Sequence, residues 1–77
     1  GDEVLTVESS FTEVARYRLD KLIAETEGDV MTLFYGKNRT SEEMEALTAV
    51  IEELDADIEV CVISTLDPIY DLVVIFE

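Results

Sequence analysis

Apolar residues along this chain fall in short blocks separated by polar links, and the blocks alternate between two spacings. Val4, Leu5 and Val7 give residues 1–8 a brief apolar centre that predicts a first strand. Ser9 and Ser10 then offer hydroxyls for a helix start, and Ser10 with Glu13 has the spacing of a reciprocal capping box. Phe11, Ala15, Leu19, Leu22 and Ile23 recur at near-helical spacing, with Val14 beside them. Glu13, Arg16, Asp20 and Lys21 lie elsewhere on the wheel. This predicts an amphipathic helix over residues 10–26, with Gly28 as its stop.

Val30 to Tyr35 is an almost unbroken apolar run closed by Gly36, which has the length of a strand and the composition of one covered on both faces. It is expected at the centre of a sheet. After the polar link Lys37-Asn38-Arg39, the run Thr40-Ser41-Glu42-Glu43 carries a second capping box, Thr40 with Glu43. Its glutamates place negative charge where a helix dipole is positive. Met44, Leu47, Val50, Ile51 and Leu54 form one apolar stripe, so a helix is expected to about Leu54 or Asp55. Ile58–Ile63 reads as a strand, Ser64–Asp71 as a loop with Pro68, and Leu72–Phe76 as a final strand.

The resulting order is β-α-β-α-β-β, an α/β (α+β) sandwich: a four-stranded mixed sheet with two helices on one face. Helical crossovers link parallel strands with right-handed turns. The short last connection favours an antiparallel pair between the third and fourth strands. The second and fourth strands are apolar on both sides, so the face away from the helices needs a cover. A single small domain, residues 1–77, excised from a larger protein or dimerising through its sheet, would show that mismatch.

Composition narrows the function classes. The chain has 77 residues, 48% of them hydrophobic, which is too apolar for a disordered acidic tail. It holds 19 acidic and 5 basic residues, a formal net charge of −14, so phosphate backbones and anionic lipid surfaces are repelled. Neither nucleic acid nor membrane insertion is therefore expected. No apolar run approaches the roughly 18–20 residues of a spanning helix. Residues 1–15 lack the basic start and apolar block of a secretory leader. A single Cys and the absence of His remove internal disulfides and paired Cys/His zinc sites. A reducing, cytoplasmic setting is the expectation.

Candidate chemistry is sparse. Adjacent carboxylates such as Glu42 and Glu43 point apart on a helix and form no shared-proton dyad. Without His, no serine triad can form around Ser9, Ser10, Ser41 or Ser64. Cys61 is expected as a buried inert thiol, or on the sheet face opposite Val60. The turn Gly36–Ser41 joins a strand's carboxyl end to a helix start, where anions bind in open α/β sheets. Lys37, Arg39 and Thr40 are the candidate anion-binding residues, although the turn lacks the pattern of a P-loop. Pro68-Ile69-Tyr70 in the last loop is a candidate contact anchor. No catalytic residue, metal ligand or cofactor is expected in the chain itself.

The run Val30-Met31-Thr32-Leu33-Phe34-Tyr35-Gly36, a polar link and Ser41-Glu42-Glu43-Met44-Glu45-Ala46-Leu47 together resemble the C-terminal end of the bacterial fatty acid kinase subunit. This family is also known as dihydroxyacetone kinase-like, DAK2-domain or YloV-type. Ile58-Glu59-Val60 matches the family's third strand, and Pro68-x-Tyr70 matches its last loop. Thr65-Leu66, Asp67 and Asp71-Leu72 stand where the family shows a Gly pair, Gln and Pro-Tyr. The resemblance implies a parent whose N-terminal kinase domain binds ATP and magnesium. It also implies a separate DegV-type protein that presents the fatty acid carboxylate for phosphorylation. The chain would then be a non-catalytic C-terminal module. Its protein partner would be the DegV-type fatty acid-binding protein or the rest of the parent chain, met through Asp67, Pro68 and Tyr70.

Overall fold

The computed structural model describes residues 10–77, so the expected first strand over 1–8 and the caps at Ser9 and Ser10 lie outside the described residues. The elements are α1 (Ser10–Glu25), β1 (Val30–Tyr35), α2 (Ser41–Leu54), β2 (Glu59–Ser64) and β3 (Leu72–Phe76). Each falls within a residue or two of the segment its pattern predicts. Three strands form one mixed sheet among the described residues, in the order β2-β1-β3.

β1 is central, as its unbroken apolar run requires. It pairs in parallel with β2, Met31 opposite Val60 and Leu33 opposite Val62. It pairs antiparallel with β3, Leu33 opposite Val74 and Met31 opposite Phe76. This corrects one expectation. β2 and β3 do run in opposite directions, but they are not neighbours, because β1 lies between them. The connection from Thr65 to Asp71 crosses the carboxyl end of β1 and bonds to it on the way. Thr65 N donates to Tyr35 O at 2.8 Å, and Gly36 N donates to Asp71 O at 3.0 Å. Strands lie about 4.8 Å apart, so a loop of this length spans two spacings as easily as it closes a hairpin.

Both helices cover the same face. Met31 and Leu33 alternate along β1 onto that face and are fully buried. They pack with Ala15 and Leu19 of α1, with Met44, Leu47 and Ile51 of α2, and with Ile58 just before β2. Burying each of these larger side chains stabilises the fold by about 1.5–3 kcal/mol, which makes this single layer the core. α2 begins where its sequence says it should. Thr40 is the N-cap, its Oγ1 accepts from Glu43 N at 3.1 Å, and Glu43 Oε1 accepts from Thr40 N at 2.9 Å. Gly28 lies beyond the end of α1. A Cβ there would come within 2.8 Å of the Glu77 carbonyl carbon, so the glycine serves the close approach of the chain at Glu77. There Asp29 N and Val30 N both donate to Glu77 O, at 2.7 and 2.9 Å.

Candidate functional site

The Thr65–Asp71 loop is built by its own short polar side chains. Thr65 Oγ1 donates to Tyr35 O at 3.1 Å and accepts from Asp67 N at 3.2 Å, which ties the start of the loop to the end of β1. Asp67 Oδ1 then accepts from Ile69 N at 2.8 Å and Tyr70 N at 3.3 Å, an Asx turn around Pro68. The Asp67 carbonyl accepts from Lys37 N at 3.1 Å, so the loop is fastened to the next turn as well. Gly36 permits this crossing, since a Cβ there would overlap the carbonyl oxygens of Tyr70 and Asp67. With its backbone held in this way, the loop turns its large side chains outward. Leu66 is 85% exposed, Ile69 78% and Tyr70 62%.

The loop and the Gly36–Ser41 turn, read separately in the sequence, meet at the carboxyl end of β1. Arg39 joins them. Its guanidinium lies 3.6 Å from Glu43 Oε2 and 4.0 Å from Asp71 Oδ1. Its Cζ also stands 4.3 Å from the centre of the Phe11 ring. Arg39 therefore binds α1, α2 and the end of the loop together, with its charge facing two carboxylates. The first amides of α2 are answered by the capping box. Of the three anion-binding candidates, Arg39 and Thr40 are engaged within the fold and the Lys37 side chain stands exposed. Among the contact candidates, Asp67 points into its own loop and holds it, while Pro68 and Tyr70 are exposed.

The sheet face away from the helices continues the apolar surface. One row across it is Ile63, Phe34 and Val73, and the next is Cys61, Thr32 and Ile75. Ile63, Val73 and Ile75 are each more than two-fifths exposed. Cys61 is only partly buried and shares this face, which corrects the expectation of a buried thiol. The sequence reading missed Leu66 and Ile69 as exposed apolar side chains and Thr65 as the loop's anchor. The available signal was a Leu and an Ile flanking the sole Pro, with Thr and Asp two residues apart ahead of it. Among the described residues, no three Cys, Asp or Glu side chains converge to hold a metal ion. No described helix is long and apolar enough to cross a membrane.

A two-layer sandwich with a bare apolar sheet face and a rigid apolar loop defines a contact module. The chain belongs to the FakA-like family of fatty acid kinase C-terminal domains, whose model matches residues 1–77. No curated protein and no solved structure matches the chain.

Proposed function

We propose that this chain is a non-catalytic C-terminal module that docks a protein partner through the Thr65–Asp71 loop, the partner being a DegV-type fatty acid carrier. Inter-domain or intersubunit contact within the parent protein is the same surface used at closer quarters. One observation carries the reading: Leu66, Ile69 and Tyr70 stand exposed on a backbone fixed by Thr65, Asp67 and Gly36. Large apolar side chains exposed to water on a flexible loop would bind weakly, because ordering them on contact costs entropy. Here the loop is already ordered, and an aromatic with two aliphatic neighbours has the make-up of an interface hot spot. The family supports the setting, since a kinase that acts on a carried fatty acid has to engage the carrier.

The test is titration calorimetry of a DegV-type fatty acid-binding protein with the wild-type chain, Tyr70→Ala, Ile69→Ala and the distant surface variant Glu52→Ala. Loss of a hot-spot side chain costs about 2 kcal/mol or more, so the two loop variants should bind about thirtyfold more weakly. Glu52→Ala should bind as the wild type does. Equal affinity of wild type and both loop variants removes the loop from the contact. No binding of the wild type removes the carrier as its partner.

A further inference from the structure

The sheet face opposite α1 and α2 is a graded surface. Two apolar rows, Ile63-Phe34-Val73 and Cys61-Thr32-Ile75, are followed by a third in which Glu59 and Glu77 flank Val30. Glu77 takes its place opposite Val30 through a reciprocal pair of backbone bonds, each 2.9 Å. The face is therefore apolar toward the loop and carries paired carboxylates at the far end.

From this gradient we infer that the open face receives an amphipathic helix of a partner protein, apolar where it crosses the first two rows and bearing Lys or Arg over Glu59 and Glu77. The inference rests on the reading of this chain as a contact module and names a second, separate contact surface. Three observations fix the occupant. Parallel strands such as β1 and β2 are found with helices over both faces, and only one face is covered by the chain's own helices. Three strands are about 10 Å wide, the width of one helix, and rows about 7 Å apart place the acidic row roughly two turns along such a helix. The carboxylate row sets its polarity, because cations at one end would be paired and anions repelled. A second copy of this chain fits poorly, since it would bring another formal charge of −14 against the first.

The probe is a side-chain-stapled helical peptide of about four turns with Leu on one face and Lys in one terminal turn. Its twin carries Glu in that turn. Cys61 lies in the second apolar row and reports occupancy through the rate at which a thiol reagent modifies it. The lysine peptide is expected to slow that modification and to shift the amides of Thr32, Phe34, Ile63 and Val73. It should bind about tenfold more tightly than its twin, a gap of about 1.4 kcal/mol. The double variant Glu59→Lys/Glu77→Lys should reverse the preference. Tyr70→Ala should leave the peptide's affinity within about twofold, which separates this face from the loop contact. Equal affinity for the two peptides overturns the inference, as do shifts confined to α1, α2 or the loop. A dimer seen by light scattering that protects Cys61 without peptide also overturns it, as does equal protection by a free acyl chain.

Discussion

Gly36 lies directly against the carbonyl of Tyr70, so closely that a methyl group on Gly36 would occupy the same space as that oxygen. The contact links the end of the central strand to the loop that displays the apolar side chains. A residue chosen for having no side chain thus sets the position of others chosen for having large ones.

Gly36→Ala is expected to push the loop off the end of β1. Overpacking of this kind costs about 1–3 kcal/mol. The cost should appear as a lowered urea midpoint, with faster hydrogen exchange at the amides of residues 36, 37 and 65, whose acceptors lie across the crossing. An unchanged midpoint with unchanged exchange would show that the loop can yield without loss.

Asp67→Ala and Asp67→Asn separate holding the loop from touching a partner. The carboxylate accepts from the amides of Ile69 and Tyr70, a task an Asn carbonyl oxygen performs equally well. Both amides are near solvent and regain water when the acceptor is lost, so the alanine variant should lose no more than about 1 kcal/mol of stability. Its effect should instead be local, with rapid exchange and averaged shifts at residues 69 and 70. The asparagine variant should keep wild-type exchange there. If Asn and Ala behave alike, the charge of Asp67 matters rather than its acceptor geometry.

Thr40→Ala removes the hydroxyl that answers Glu43 N, and a lost N-cap of this type costs about 1 kcal/mol. Thr40→Ser should cost almost nothing, because the oxygen remains. Glu43 has a second duty, facing Arg39 at 3.6 Å, so Glu43→Ala should cost more than Thr40→Ala in thermal unfolding. Equal losses would mean that the Arg39 pair adds nothing beyond the cap.

These residues also show what could be read without coordinates. The Thr40 capping box was legible because both partners lie within one turn, and a central β1 was legible because Val30–Tyr35 offers no polar face. The neighbours of β1 were not legible. Whether residues 65–71 close a hairpin or cross a strand depends on Thr65 reaching Tyr35, 30 residues earlier in the chain. The loop's rigidity has the same origin, since Asp67 and Gly36 meet only after the sheet has formed. Arg39 shows the limit for the anion-binding candidates. In sequence it is a cation beside a helix start, and only the fold places Glu43, Asp71 and Phe11 around it.

Salt should stabilise this domain, although it weakens ion pairs. The described surface pairs Arg16–Glu53 at 3.6 Å and Lys21–Glu25 at 3.9 Å are exposed, and pairs of that kind contribute little even at low salt. Against them stand 19 acidic residues and 5 basic ones, so repulsion among carboxylates dominates the electrostatic free energy of the compact state. At about 0.01 M salt the screening length is about 30 Å, long enough for carboxylates across the domain to repel one another, and at about 1 M it is about 3 Å. Raising sodium chloride across that range relieves repulsion more in the folded chain than in the expanded unfolded one, so the melting temperature should rise. For a domain of this size each 1 kcal/mol gained appears as about 4–8 °C. A melting temperature that falls with salt would mean that attraction at Arg39 and its neighbours outweighs the excess of negative charge.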